Sequence, residues 1–194
     1  AKNPSLFTAS VEAKKDFRYH IGSELTLTDG SAIAFLPLNF TGYSNLCYLL
    51  TLGKRNVAKG FSLVTLQQIR DHNEGLLAFP IPPYDDNRFL ELQSIFKDRL
   101  YLPIWRDLTW ESLEYGRKAF ELEQKHHAQL FVTQRPFMHT AERKALFDVL
   151  TCIHHHCTLE KAEHILIQNS ERHLRPLSEL AFLWKDRPDL LQVT

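Results

Sequence analysis

An excess of charge of either sign is missing from this chain: its 194 residues carry 23 Lys and Arg against 23 Asp and Glu, a formal net charge of zero. With no global field, nothing draws the chain as a whole onto nucleic acid or an anionic membrane. Cysteine is scarce and odd in number, at Cys47, Cys152 and Cys157, in a sequence with no secretory signal. That argues against a disulfide framework and for a reducing, cytoplasmic setting. No apolar run approaches the roughly 18 residues that a membrane helix needs, so no membrane partner is expected. What remains is ordinary, with 44% hydrophobic and 24% charged residues. Those values predict one globular domain with a true core, well away from the disordered class.

An Asp29-Gly30 pair stands between the apolar runs 19–28, "YHIGSELTLT", and 32–38, "AIAFLPL". Glycine accepts the positive φ of a tight turn, so the pattern predicts a β-hairpin. Helical spacing follows over 42–52, where Leu46, Leu49 and Leu50 recur before Gly53, Lys54 and Arg55. A short helix is predicted over 65–71, a strand over 75–83 and an amphipathic helix over 87–98. The strand "RLYLPIW" then leads to a helix with Trp110, Leu113 and Phe120 on one face. The strand "AQLFVT" leads to a helix whose Ala141, Ala145, Leu146, Val149, Leu150 and Ile153 share a face. Strands alternating with helices predict an α/β architecture built on a parallel sheet or barrel, with a core to residue 157 and a helical tail over 158–194.

Several clusters invite sharper readings. In "CIHHHC", 152–157, Cys and His are preferred zinc ligands, yet successive helical residues point about 100° apart and only Cys152 and His156 share a face. An exposed helix end, with His at the negative pole of the dipole, explains the cluster better. Lys54, Arg55 and Lys59 read as a solvated loop, since three charges neutralise few phosphates. Arg172, His173 and Arg175 in "ERHLRPL" are basic enough to touch DNA backbone or a neighbouring domain, and a solvated helix cap explains them equally well. Trp105, Trp110 and Trp184 read as core or interface packing.

Taken together, "HIGSELTLTDGSAIAFLPLNFTGYSNLCYLLTLGKRNVAKG", "ALFDVLTCI" and "NSERHLRPLSELA" resemble the polymerase and histidinol phosphatase (PHP) domain of bacterial C-family DNA polymerase alpha subunits. Gly22-Ser23-Glu24 and Gly42-Tyr43-Ser44-Asn45-Leu46 are most similar to the error-prone, translesion type. The resemblance runs from about residue 5 onward and implies one PHP-like domain over 1–194. It implies a distorted (β/α)7 barrel, incomplete here because the family's first strand and its His-x-His ligands would precede residue 1. The opening "AKNPSLFTASVEAKKDF" accordingly reads as the start of a piece excised from something longer.

In that family, working members hold two or three zinc, manganese or iron ions at the carboxyl ends of the strands, where a bridging hydroxide attacks a phosphoester. Glu24 matches the Gly-x-Glu ligand. Asp107 stands where a His would follow the strand "LYLPIW", and His139 is a candidate outer ligand. Arg135, Pro136 and Phe137 occupy the place of an Asp-x-His pair. A guanidinium repels cations and a phenyl ring has no lone pair to donate, so Arg135 and Phe137 are expected to fill a former metal pocket. Arg135 is also expected to pair with the carboxylates that remain, Glu24 and Asp107.

These readings predict a non-catalytic scaffold domain with no cofactor, working with the remaining domains of a polymerase alpha subunit and contacting DNA weakly or indirectly. The alternative is a metal-dependent phosphoesterase, a phosphatase or 3′–5′ exonuclease, using Glu24, Asp107 and His139. A third is self-association through the open barrel edge. The resemblance does not reach the catalytic aspartates of a palm domain, so no primer extension is expected of these residues.

Overall fold

Asp29 and Gly30 close the first hairpin as the sequence predicts. Gly30 sits at a φ of 85°, and the Asp29 carboxylate accepts from the Ser31 amide at 2.9 Å and the Ser31 hydroxyl at 2.6 Å. The computed structural model describes residues 19–55, 57–59 and 61–192; the opening stretch 1–18 lies outside them. Its strands are β1 (Ser23–Thr26), β2 (Ala32–Pro37), β3 (Leu76–Pro80), β4 (Tyr101–Ile104) and β5 (Gln129–Val132). Its helices are α1 (Phe40–Arg55), α2 (Leu66–Asp71), α3 (Asp86–Phe96), α4 (Trp110–His126), α5 (Lys144–His154) and α6 (Leu177–Leu183).

The uniformly parallel sheet expected from the strand–helix alternation is not what forms. β1, β2 and β3 are antiparallel neighbours in that order, β4 and β5 pair in parallel, and an Ala78–Leu100 bridge links the two groups, also in parallel. Connection length explains part of this: the three-residue turn at 28–30, closed by the Leu27 amide on the Ser31 carbonyl at 2.7 Å, can only return the chain antiparallel, whereas α3 and α4 provide the crossovers that parallel pairing needs. Among the described residues no sheet closes on itself; β1 and β5 are the outer strands, and Val64 pairs along part of the β1 edge.

Alternation within the strands gives the row two unlike faces. Leu25, Ile33, Phe35, Leu76, Ala78, Leu102 and Leu130 enter one buried cluster with Leu46, Leu49, Phe89, Leu92, Phe96 and Leu122 of the helices. The opposite face carries half-buried Leu36, Leu77, Phe79, Tyr101 and Phe131, with the Phe79 ring 6.2 Å from Tyr101 and 5.1 Å from Phe131. Helix α1 docks backbone against backbone. A Cβ at Gly42 would stand 1.9 Å from the Gly75 carbonyl oxygen, and Asn45 Nδ2 donates to the Glu74 carbonyl at 2.9 Å. The Gly-Tyr-Ser-Asn-Leu stretch is therefore a packing motif: a small residue for close approach, an amide to hold the turn, and Leu46 for the core.

Two helices turn their apolar stripes the other way from the expectation. On α5, Leu146, Val149, Leu150 and Ile153 are exposed, while Phe147, Asp148 and Cys152 face inward. On α4, Trp110 and Leu113 are 70% and 62% exposed, and the buried positions are Ser112, Ala119 and Leu122. Periodicity shows that a helix has an apolar face but not that the same chain covers it. The tail is less helical than expected: a 3-10 turn at Leu159–Lys161, α6 and a 3-10 turn at Pro188–Leu191, with turns and bends between the first two and a bridge to Met138 through His173. Among the described residues no helix is long and apolar enough to cross a membrane.

Candidate functional site

The carboxyl ends of β3, β4 and β5 lie side by side and release three polar side chains, Tyr84, Asp107 and Arg135. Beyond β4, Asp107 is buried and caps the turn into α4. Its Oδ1 accepts from the Thr109 amide at 3.2 Å and hydroxyl at 2.6 Å, and its Oδ2 accepts from Trp105 Nε1 at 3.2 Å. Burial alone would raise its pKa, but hydrogen bonds from Thr109 and Ser112 and the Arg172 charge outweigh that and hold the carboxyl below its usual range. Thr109 in turn caps α4 by accepting from the Ser112 amide at 3.2 Å. Tyr84 donates to the Pro103 carbonyl, and burial pushes its phenol pKa far up, with the Arg135 charge opposing.

Beyond β5 the chain turns sharply. Arg135 sits at a φ of 41°, a left-handed conformation that costs a non-glycine residue about 1 kcal/mol. Two contacts hold it there: its amide donates to Thr133 Oγ1 at 3.3 Å, and its carbonyl accepts from Arg172 Nε at 3.1 Å. The turn lays the Arg135 guanidinium over the Trp105 ring, 4.9 Å from its centre. The expected ion pair is not made: among the described residues neither Glu24 nor Asp107 lies within ion-pair distance of Arg135, and it is Arg172 whose charge acts on Asp107.

Phe137 forms the middle of a stack. Arg172 lies over one side of its ring at 3.7 Å, and Phe147 of α5 stacks on it at 5.0 Å, 15° from parallel. Burial, then the like charge of Arg135, lowers the pKa of Arg172, with Asp107 and Glu111 opposing. The stretch that carries Arg172 is stitched down along its length. Asn169 Nδ2 donates to the Asp107 carbonyl at 2.7 Å, the Phe137 amide donates to the Arg172 carbonyl at 2.8 Å, and the Gln134 side chain bonds both the amide and the carbonyl of Arg175. Arg175 bonds Glu171 and is 13% exposed, so Arg172 and Arg175 both spend their guanidinium groups inside the chain rather than as an open basic surface.

The remaining candidates do not converge with these. Glu24 is exposed on β1 opposite Ala34, and His139 is exposed beyond the Phe137 turn. Among the described residues no three His, Cys, Asp or Glu side chains are grouped to hold a metal ion, the CIHHHC cluster included. The donor chemistry at the ends of β4 and β5 does not fit a metal centre: both Asp107 oxygens are committed, and the neighbouring charges are the guanidinium groups of Arg135 and Arg172. Sequence reasoning missed Tyr84, Gln134 and Asn169, and it took Arg172 for surface. Tyr84 could have been flagged by the prolines before it, but no local pattern announces partners such as Gln134 and Arg175, 41 residues apart.

Beside this cluster lies an open groove of about 620 Å³ lined by Trp105, Leu108, Trp110, Leu113, Phe120 and Trp184. Leu108 is 72% exposed and, like Arg135, sits in the left-handed region at a φ of 57°.

No protein-family model matches the chain. Over 193 of its 194 residues it is 59% identical to an error-prone DNA polymerase of Bdellovibrio bacteriovorus, of which it spans 18%. It is 31% identical over 172 residues to the error-prone DNA polymerase of Pseudomonas syringae pv. syringae, and 29% identical over 181 residues to error-prone DNA polymerase 1 of Agrobacterium fabrum. It spans 17% and 16% of those two. The chain is thus homologous to a segment, less than a fifth in length, of error-prone DNA polymerases.

Proposed function

We propose that this chain is a PHP-like domain of an error-prone C-family DNA polymerase alpha subunit and serves there, in replication and translesion repair, as a non-catalytic scaffold. The observation that carries the reading is the filling of the strand ends: Arg135 on Trp105, Arg172 between Phe137 and Asp107, and both Asp107 oxygens taken by Trp105 and Thr109. A hydrolytic metal centre needs free carboxylate and imidazole lone pairs and an open position for water. These side chains offer cations and rings instead.

The architecture supports the PHP reading in outline. The part that fits a distorted (β/α)7 barrel is the parallel run from β3 through β4 to β5, with α3 and α4 as crossovers and a half-buried aromatic face opposite the helices; the antiparallel β1 and β2 depart from it. The exposed stripe of α5, Leu146, Val149, Leu150 and Ile153, and the groove beside Trp110 are larger than scattered surface apolar residues, and a scaffold needs such faces. We assign them to the rest of the polymerase chain, whose homologues continue for more than four-fifths of their length outside the matched segment. Nucleotidyl transfer belongs to that remainder.

Metal content by plasma mass spectrometry, on the tag-free chain and on Glu24→Gln, tests the reading. Background zinc, manganese and iron in both, with no turnover of a phosphomonoester or of a 3′-ended DNA strand, is the expected result. Near-stoichiometric metal in the wild type that is lost in Glu24→Gln would overturn it in favour of a phosphoesterase.

A further inference from the structure

The CIHHHC cluster fails as a metal site, yet the end of α5 gives two of its residues another relation. His156 takes the left-handed conformation, φ 52°, and two backbone bonds close around it: the His156 amide to the Ile153 carbonyl at 3.2 Å, and the Cys157 amide to the Cys152 carbonyl at 3.0 Å. This six-residue and four-residue pair of bonds is the Schellman motif. In that motif the residues joined by the wider bond, here Cys152 and Cys157, frequently bring their side chains together in an apolar contact. Here both partners are thiols. A backbone bond between the two residues holds them next to each other, as a disulfide requires of Cα atoms that it spans at about 4.4–6.8 Å.

We propose that Cys152 and Cys157 form a reversible disulfide that clasps the carboxyl end of α5. The two thiols are unequally placed for the two steps of exchange. Cys157 is half-exposed, so its thiolate is the one that meets a soluble disulfide such as glutathione disulfide; it bonds to one sulfur and expels the other as a glutathione thiolate. Cys152 is 5% exposed and meets no such reagent directly, and burial followed by the neighbouring Cys157 raises its pKa. It acts second, from within: its sulfur, after losing a proton, attacks Cys157 Sγ and expels the second glutathione thiolate. The two protein thiols lose two protons and two electrons, and glutathione disulfide becomes two glutathione molecules. Reduced thiol reverses both steps.

The clasp has a structural reach beyond its own turn. The inward face of α5 that carries Cys152 also carries Phe147, whose ring closes the stack on Phe137 and Arg172. Pinning the last turn of α5 opposes fraying of the helix that covers the filled strand ends. Cys47 lies apart on the exposed side of α1 and serves as an internal control for unspecific oxidation.

The test equilibrates the 194-residue chain with excess glutathione disulfide, blocks free thiols with N-ethylmaleimide, and maps tryptic peptides by mass spectrometry. Cys152 and Cys157 fall in one peptide, residues 145–161. The expected product is that peptide short of two hydrogens and unlabelled at both cysteines, restored to two labelled thiols by prior treatment with dithiothreitol. In Cys157→Ser the loss of two hydrogens disappears, and Cys152 remains unmodified by glutathione. Two labelled thiols in the oxidised wild type, separate glutathione adducts on Cys152 and Cys157, or a crosslink from either to Cys47 would each overturn the proposal.

Discussion

The strand row around β1, β2 and β3 and the loops beyond the carboxyl ends of β4 and β5 are held by different physics. Around β1, β2 and β3 the cohesion is apolar and local in pattern: Leu25, Ile33, Phe35, Leu76 and Ala78 alternate inward and meet Leu46, Leu49 and Phe96. Past the carboxyl ends of β4 and β5, cohesion comes from a few polar side chains reaching across many residues: Arg106 to Asp186, Asn169 to Asp107, Arg172 to Arg135, Gln134 to Arg175. In the first half many interchangeable contacts share the stabilisation, so the sequence can vary as long as its period survives. The second half rests on individual groups, several of which leave a half-buried partner unsatisfied when removed. This contrast is where mutation should bite differently.

The largest effect is expected in the apolar half. Phe96 is fully buried against Phe35, with ring centres 5.8 Å apart. Phe96→Ala should cost about 4 kcal/mol, seen as a fall in the urea midpoint for the whole chain. Gly42→Ala comes next, because its new Cβ would overlap the Gly75 carbonyl and force α1 off the turn before β3. A cost of about 3 kcal/mol is expected, again as a global loss in urea unfolding. A Gly42→Ala protein as stable as the wild type would mean that α1 does not dock backbone to backbone.

In the polar half the expected loss is smaller and local. Arg106 donates to Asp186 through both terminal nitrogens and to the Leu183 carbonyl at 2.6 Å, and its guanidinium lies 4.0 Å from the centre of the Trp184 ring. These bonds pull the Asp186 pKa down to about 2. Arg106→Ala should cost about 2 kcal/mol and release α6 from the end of β4. Hydrogen exchange should show faster amides over 177–184 with β1, β2 and β3 unchanged. Uniform acceleration across both regions would mean that they are stabilised as one unit.

The same contrast explains what could be read from the sequence. The Asp29-Gly30 hairpin, the five strands and the main helices all follow from turn chemistry and period, and they sit within a few residues of where those signals place them. That Arg135 and Phe137 offer no lone pair to a metal was legible, because guanidinium and phenyl chemistry is a property of the residue itself. What they touch was not legible. Arg172, 37 residues beyond Arg135, supplies the bond that holds the left-handed turn, and only the fold brings the two together. The apolar stripes of α4 and α5 misled for the converse reason: Trp110, Leu113, Leu146 and Leu150 have the right spacing, but nothing in the described residues covers them.

The smallest effect should appear at Asp107, and pH isolates it. Its folded pKa lies below the ordinary value of 3.8, since hydrogen bonds and the Arg172 charge prevail over burial. A carboxyl with a depressed folded pKa adds stability that is fully present above its unfolded pKa and is lost as pH falls through the folded one. Asp107→Asn removes that contribution and sets an amide N–H or a weaker acceptor against Trp105 Nε1 and Thr109. A loss of about 1 kcal/mol is expected at pH 7, shrinking toward nothing as the wild type is acidified below the folded pKa. Urea unfolding of both proteins across the acid range reads this as two curves that converge at low pH. Parallel curves would mean that Asp107 gains nothing from its charge, and the strand ends would then be neutral filling rather than a site where Arg172 and a buried carboxylate balance.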